Sequence, residues 1–194
     1  MIQLSALCVY CGSSNRGDPR HLDAATTLGR LAAQDGVEIV FGGGHVGLMG
    51  ALADGALAAG GRVTGIIPQY LEDRELGHRG VTDLVIVESM HARKQKMFEL
   101  ADAFCVLPGG LGTLDETFEI LTWRQIGLHD KPVALVDLDG YWRPLRALMD
   151  HQVTNGYLRP EHAELLQVVS EVGQVLPVLR AAPAPSVPAA PERL

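Results

Sequence analysis

The chain has 194 residues, of which 47% are hydrophobic and 20% charged, a composition typical of one soluble globular domain. Its formal net charge of −7 argues against broad binding to nucleic acid or to an acidic membrane surface. No apolar run reaches the roughly 18 residues of a membrane span. The first residues also lack the basic segment of a signal peptide, so we expect a cytoplasmic protein.

Short apolar segments alternate with amphipathic ones along the chain. Strands are predicted at residues 5–10, 37–41, 62–67, 84–87, 103–107, 132–136 and 165–169. Helices are predicted at residues 19–34, 48–59, 90–100, 113–126, 141–152 and 171–180, with a loop at 72–75. This order predicts a Rossmann-like three-layer α/β fold, in which a mostly parallel sheet carries helices on both faces. We expect one domain over residues 1–180 and a flexible Ala/Pro-rich tail over residues 181–194.

Three unusual loops follow predicted strands, at the edge where open parallel sheets bind their ligands. Residues 11–15 offer small polar donors, residues 42–50 are rich in glycine, and residues 108–116 spell Pro-Gly-Gly-Leu-Gly-Thr-Leu-Asp-Glu. One glycine loop could be only a tight turn. Three on the same edge predict an anion site large enough for a nucleotide.

The loop at 108–116 leads from a buried strand into a helix, and its glycines let the backbone approach a ligand closely. The N–H groups of Gly112, Thr113 and Leu114 are predicted to lack partners inside the helix, so they suit a phosphate at the positive end of the helix dipole. Glu116 follows one turn later, within reach of whatever the phosphate carries. A capping box between Thr113 and Glu116 is the simpler alternative, but it needs no preceding glycines.

The segment at 90–97 supplies a cation beside this loop. At helical spacing one stripe contains Met90, Arg93, Met97 and Leu100. Arg93 is the polar member of this stripe and is predicted to point into the cleft, the alternative being a side chain that extends to the surface. Lys94 lies about 100° away around the helix and is expected in solvent. His91 is expected at the surface or as a cap.

Two other motifs suggest chemistry that the context disfavours. A G-x-G-x-x-G pattern at 42–47 follows the second strand instead of the first, and no carboxylate ends the next strand, which argues against an NAD-dependent oxidoreductase. Cys8 and Cys11 form a CxxC, but along a strand their sulfurs lie on opposite faces, which argues against redox or metal chemistry. Cys8 and Cys105 are therefore predicted to be core residues.

Together these motifs resemble the LOG ("Lonely Guy") family of cytokinin riboside 5′-monophosphate phosphoribohydrolases. The resemblance rests on Met-His-x-Arg-Lys at 90–94, Gly-Gly-Gly-x-x-Gly-Leu-Met-Gly at 42–50 and Pro-Gly-Gly-x-Gly-Thr-x-x-Glu at 108–116. It extends from about Leu4 to Arg180. It implies hydrolysis of the N-glycosidic bond of an N6-modified AMP, with AMP as a second candidate, releasing free base and ribose 5-phosphate.

The resemblance also implies that Glu116 and Arg93 are the catalytic pair. Glu116 is expected to stabilise a transition state with oxocarbenium character, and Arg93 to orient the base and stabilise the departing purine. The residues predicted to bind substrate are Gly109, Gly110, Leu111, Gly112, Thr113, Gly43, Gly44, Met90, Lys94 and Ser13. A homodimer with the site near its interface is implied. No metal, cofactor, nucleic acid or membrane partner is expected.

Two other functions are weighed against this one. A non-catalytic protein that binds a nucleotide or a molybdenum-cofactor precursor has a related fold, although the pairing of Arg93 with Glu116 favours an enzyme. Such proteins have often been labelled lysine decarboxylases, but pyridoxal phosphate needs a Schiff-base lysine. The three lysines of the chain are Lys94, Lys96 and Lys131. None is predicted in a loop that faces the site, apart from a marginal case for Lys94.

Overall fold

The computed structural model describes residues 2–74, 76–184 and 186–187. Over these residues seven strands form one all-parallel sheet in the order β4-β3-β2-β1-β5-β6-β7. The strands are β1 (Ala6–Tyr10), β2 (Glu38–Phe41), β3 (Val63–Pro68), β4 (Asp83–Val87), β5 (Ala103–Val106), β6 (Val133–Val136) and β7 (Leu166–Val169). The strand order reverses between β1 and β5, so the loops that follow them diverge and leave a crevice at the carboxyl edge.

Helices connect the strands and cover both faces of the sheet. They are α1 (Pro19–Gln34), α2 (Gly47–Ala58), α3 (Gln69–Glu72), α4 (Met90–Leu100), α5 (Leu111–Gln125), α6 (Arg143–Thr154), α7 (Pro160–Ala163) and α8 (Val175–Ala181). The predicted bounds of α1 and α4 are confirmed to the residue. Side-chain caps fix where both begin, because Asp18 accepts a hydrogen bond from the N–H of Arg20 and Ser89 accepts one from Ala92.

Several short elements differ from the prediction. The four-residue helices α3 and α7 were not predicted, and Glu72 of the segment predicted as a loop is the last residue of α3. Glu75 of the same segment lies outside the described residues. The predicted helix at 171–180 is a 3₁₀ turn at Val172–Gln174 followed by α8. A helix of one turn shows no apolar periodicity, so a sequence pattern carries no signal for it.

The sheet separates two hydrophobic clusters. One packs β1 and β2 against α1, α2 and α8, and the other packs the opposite face against α4, α5 and α6. Cys8 belongs to the second cluster and Cys11 to the first, so their free thiols lie on opposite faces, as predicted. Cys105 is also fully buried, which confirms Cys8 and Cys105 as core residues.

The end of the chain is described only in part. Ala181 ends α8, and farther on the backbone N–H groups of Ser186 and Val187 donate to Oδ2 of Asp130 at 2.6 and 3.2 Å. The rest of the predicted flexible tail, residue 185 and residues 188–194, lies outside the described residues. Among the helices of the described chain, none combines the length and the hydropathy needed to cross a bilayer.

Candidate active site

A cavity of about 690 Å³ opens at the carboxyl ends of β1, β2 and β5. The three loops singled out in the sequence meet there, because parallel strands place their following loops on one edge. Ser13 comes from the first loop, Gly44 from the second and Gly110 from the third. The switch point of the sheet is therefore a concave site large enough for a small molecule.

The helix that faces this cavity starts earlier than predicted. Gly110 is the N-cap of α5, and its C=O accepts a hydrogen bond from the N–H of Leu114 at 3.0 Å. The prediction of a free N–H on Leu114 is therefore wrong. The N–H groups ahead of this first helical bond belong to Leu111, Gly112 and Thr113, and their position suits an anion.

The capping-box alternative is also wrong. Thr113 is the third residue of α5, and Gly110 occupies the cap position. Thr113 instead packs its hydroxyl against Gly109, where a Cβ would overlap the oxygen. The glycine at this position is thus required for a close approach between the turn and the helix that follows it.

Glu116 is buried on α5 and lines the cavity, with 5% of the residue exposed. Its Oε1 lies 3.8 Å from Nη2 of Arg93. Burial raises the pKa of the Glu116 carboxyl to about 7, although the Arg93 guanidinium acts in the opposite direction. A carboxyl with this pKa exchanges its proton near neutral pH, a property common to functional sites.

Arg93 reaches the cavity from α4 with 7% of the residue exposed, so it does not extend to the surface. Backbone carbonyls hold its guanidinium: Nε donates to the C=O of Ile66 at 3.1 Å and Nη2 to that of Gly42 at 3.0 Å. Nη1 approaches the sulfur of Met90 at 3.2 Å. A Cβ on Gly42 would overlap Nη2, so the glycine makes room for the arginine.

The rest of the predicted stripe on α4 differs in one residue. Met97 is buried as predicted, but Leu100 is exposed and Phe98 is buried in its place. Phe98 stacks on the aromatic ring of Phe104, while Leu100, the last residue of α4, faces solvent. His91 is exposed, in agreement with its predicted surface position.

Lys94 is not in solvent, and that expectation is wrong. Its Nζ donates to Oδ2 of Asp115 at 3.2 Å and to Oε1 of Glu119 at 3.0 Å, which links α4 to α5 beside Glu116. Tertiary partners on another helix hold this side chain, and a helical wheel of α4 alone carries no information about them.

The predicted substrate-binding residues divide into two groups. The cavity is lined by Ser13, Gly44, Gly109, Gly110, Leu111, Gly112 and Thr113. Gly43, Met90 and Lys94 lie behind this lining. Met90 contacts the guanidinium of Arg93, and the C=O of Gly43 accepts a hydrogen bond from the N–H of His78 at 2.7 Å.

The cavity has walls that sequence reasoning missed. On one side, α3 and the segment that follows it contribute Leu71 and Leu76. The N–H of His45 donates to the C=O of Leu76 at 3.2 Å, which attaches this wall to the second glycine loop. On another side lie His21 and Tyr141. These residues come from segments without a motif, so no sequence signal could have assigned them.

None of the three lysines lines the cavity. Lys94 is paired with carboxylates as described, Lys96 contacts Glu99 at 3.5 Å, and Lys131 donates to the C=O of Phe98 at 2.8 Å. A Schiff-base lysine in this cavity therefore has no candidate in the chain.

Fold and cavity together define a Rossmann-like α/β protein with a carboxylate–guanidinium pair at its switch point. The family model described as "Possible lysine decarboxylase" matches residues 49–179. The chain belongs to this family and, through the relatives it matches, to its LOG members.

Named relatives agree with this assignment, and a solved structure shares the fold. A probable cytokinin riboside 5′-monophosphate phosphoribohydrolase from Oryza sativa subsp. japonica is 42% identical over 160 residues, covering 82% of this chain and 72% of the relative. A cytokinin riboside 5′-monophosphate phosphoribohydrolase from Rhodococcoides fascians is 39% identical over 176 residues, which cover 90% of this chain and 89% of the relative. The molybdenum cofactor binding protein from Rippkaea orientalis shares the fold, with a TM-score of 0.71 and 21% identity. The superposition covers 93% of this chain and 98% of the other.

Proposed function

We propose that this protein hydrolyses the N-glycosidic bond of a purine nucleoside 5′-monophosphate, releasing the free base and ribose 5-phosphate. N6-modified AMP, the cytokinin type of nucleotide, is the proposed substrate, with AMP as the second candidate. The single observation that carries the proposal is the buried Glu116 carboxyl 3.8 Å from the Arg93 guanidinium, in the cavity that the start of α5 faces. The names of relatives at 39–42% identity support it.

The start of α5 is the proposed phosphate site. Three backbone N–H groups from Leu111 to Thr113 precede the first helical hydrogen bond and can donate to an anion, to which the helix dipole adds a favourable field. A phosphate held there fixes the ribose relative to Glu116. Binding energy from a group that does not react then lowers the barrier at the glycosidic carbon.

Glu116 is the proposed stabiliser of the reacting sugar. As the C–N bond breaks, positive charge develops on the ribose ring. A carboxylate beside it stabilises that charge more strongly in a buried site than in water. The ionised form of Glu116 also accepts hydrogen bonds from the ribose hydroxyls and from the attacking water. Its pKa of about 7 keeps a substantial ionised fraction at neutral pH.

Arg93 is the proposed partner of the departing base. Arginine side chains are too basic for general acid catalysis, so Arg93 is proposed to act by charge and by hydrogen bonding. The carbonyls of Ile66 and Gly42 fix its plane before substrate binds. The purine takes up electrons as it leaves, and a fixed positive charge stabilises them. The site does not need to reorganise for this, because the guanidinium is already in place.

A homodimer is also part of this proposal. One side of α5 exposes Leu111 and Phe118, and Ile126 directly after the helix is exposed as well; the exposed fractions are 86% for Leu111 and 63% for Ile126. Apolar side chains on one helix face favour a partner surface, and Leu111 also lines the cavity, so a second copy would lie at its mouth. Analytical ultracentrifugation of the wild type and Ile126→Glu tests this, since the variant should dissociate. A cytoplasmic location and the absence of nucleic-acid and membrane partners stay predictions from composition.

The activity is tested by incubating the purified protein with isopentenyl-AMP and, separately, with AMP, and following free base and ribose 5-phosphate by chromatography. We expect both products in equal amounts from isopentenyl-AMP. A protein that binds the nucleotide without releasing base would be a carrier, and the proposed hydrolysis would be wrong.

A further inference from the structure

The cavity wall contains one polar side chain whose ring nitrogens find no hydrogen-bond partner among the residues that the structure describes. His21, in the first turn of α1, is 8% exposed and lines the cavity. Neither of its ring nitrogens makes a hydrogen bond with a described residue; its ring contacts Tyr141, and the Asp18 carboxylate lies close enough to interact with it electrostatically. An imidazole always carries at least one N–H donor, and His21 lines the cavity. The donor of His21 is therefore available to a molecule in the cavity.

Tyr141 places this imidazole beside the start of α5. The two rings meet edge to face, with centroids 5.4 Å apart and planes at 82°. The hydroxyl of the same tyrosine donates to the C=O of Gly109 at 2.7 Å. One side chain thus touches both the histidine and the glycine turn, which leaves the imidazole one tyrosine ring away from the turn.

The contact between Tyr141 and Gly109 also fixes the conformation of the turn. In a trans peptide the C=O and the following N–H point in opposite directions. The bond to the Gly109 oxygen therefore turns the N–H of Gly110 away from the tyrosine. Gly110 is the N-cap of α5, so the orientation of this peptide determines where the free N–H groups of the first helical turn point.

The backbone before Tyr141 is held in an unfavourable conformation. Asp139 has a φ of 50°, which non-glycine residues rarely adopt. Its carboxylate forms an ion pair with Arg20 at 2.7 Å, and Arg20 is the neighbour of His21 on α1. A surface ion pair therefore links the first turn of α1 to the segment carrying Tyr141. Such strain persists where the surrounding structure fixes it, and it is common at ligand sites.

We propose that the His21 imidazole is a further ligand of the anion bound at the start of α5, and that Tyr141 positions both the imidazole and the glycine turn. The anion is a phosphate monoester, in ribose 5-phosphate or a nucleoside 5′-monophosphate. The inference rests on the proposed function for the identity of that anion. It adds a side-chain donor to a site otherwise made of backbone N–H groups, and such a donor to a charged acceptor strengthens binding and selects for the phosphate.

Calorimetric titration with AMP and with adenosine tests the role of His21. His21→Phe keeps a ring against Tyr141 and removes both nitrogens. We expect its affinity for AMP to fall about tenfold, the scale of a lost hydrogen bond to a charged group, with adenosine affinity unchanged. His151→Phe removes an exposed imidazole on α6 and should leave both affinities unchanged. Unchanged AMP binding by His21→Phe, or an equal loss for AMP and adenosine, would overturn the proposal.

A second measurement uses the wild type, in case His21→Phe fails to fold. The imidazole ¹⁵N resonances of His21, assigned in the wild type through the contact of its ring with Tyr141, should shift when ribose 5-phosphate is added. No shift contradicts the proposal. Tyr141→Phe should weaken ribose 5-phosphate binding through the lost bond to Gly109, and wild-type affinity in this variant would contradict the positioning role. None of these readouts requires hydrolysis. A protein that binds ribose 5-phosphate through His21 but releases no base would refute the proposed function alone.

Discussion

Gly42→Ala is the substitution that most sharply tests how the site is built. Nη2 of Arg93 occupies the space that a Cβ at residue 42 would need, and that Cβ would also lie 2.9 Å from Cζ. Gly42 does not have a positive φ, so the overlap with the arginine, and not backbone strain, carries the effect. The guanidinium must move away and lose its hydrogen bond to the Gly42 carbonyl, which is 3.0 Å long in the native protein.

The expected cost follows from this displacement. A misplacement on the order of 1 Å lowers a rate by about 10²-fold, so the kcat for base release should fall by that factor. One lost hydrogen bond to a charged group costs about 1.5–3 kcal/mol of the free energy of unfolding. In a chain of this size that lowers the Tm by about 3–12 °C.

Kinetic and thermal measurements on two glycine variants check this expectation. Gly173→Ala is the matched control, because a Cβ there meets nothing within 4 Å and residue 173 lies outside the cavity. It should keep the wild-type kcat and Tm. Gly42→Ala combined with Arg93→Ala should lose no more activity than Arg93→Ala alone, since both changes act through one guanidinium. A Gly42→Ala protein with native kcat and Tm would refute the reasoning about Arg93.

Three other predictions follow from the site. The kcat/KM for nucleotide hydrolysis should rise with pH through an apparent pKa near 7, since Glu116 acts ionised; a rate independent of pH between 5 and 8 would contradict this. The pKa of Glu116 lies above its ordinary value of 4.5. Folding stability from this group is therefore fully present below pH 4.5 and is lost as pH rises through about 7. Glu116→Gln should raise the Tm relative to the wild type at pH 8 but not at pH 4.5, which differential scanning fluorimetry checks. Isopentenyl-adenosine, which lacks the 5′-phosphate, should lose kcat as well as affinity relative to its nucleotide, and equal kcat/KM values would remove the phosphate site from the account.

The sequence predicted the long elements well, because their patterns are local. Capping residues and apolar spacing determined α1 and α4, and strand-end loops predicted the edge on which the cavity lies. The start of α5 was misplaced because Pro108-Gly109-Gly110 contains no side chain that marks a cap. Gly110 caps the helix with its backbone alone.

The remaining differences come from contacts between segments far apart in the chain. Lys94 was wrongly expected in solvent. Its partners Asp115 and Glu119 reach it from another helix, and the pattern of α4 alone does not reveal them. Tyr141 meets the glycine turn across 32 residues of sequence, and His21 contacts Tyr141 from another helix; neither residue belongs to a motif. Arg93 was placed in the cleft correctly, but of the two carbonyls that hold it one lies within β3 and the other directly after β2. Such arrangements appear only when the chain is folded.

The central claim is that Glu116 performs chemistry on a bound nucleotide, and one paired measurement tests it most directly. The rate of base release from isopentenyl-AMP and the affinity for the same nucleotide are measured for the wild type and for Glu116→Gln. The variant should bind the nucleotide with near-native affinity while its turnover falls by about 10²–10⁴-fold, the scale of a lost catalytic carboxylate. Near-native turnover by Glu116→Gln would contradict the mechanism and leave Glu116 as a buried structural residue.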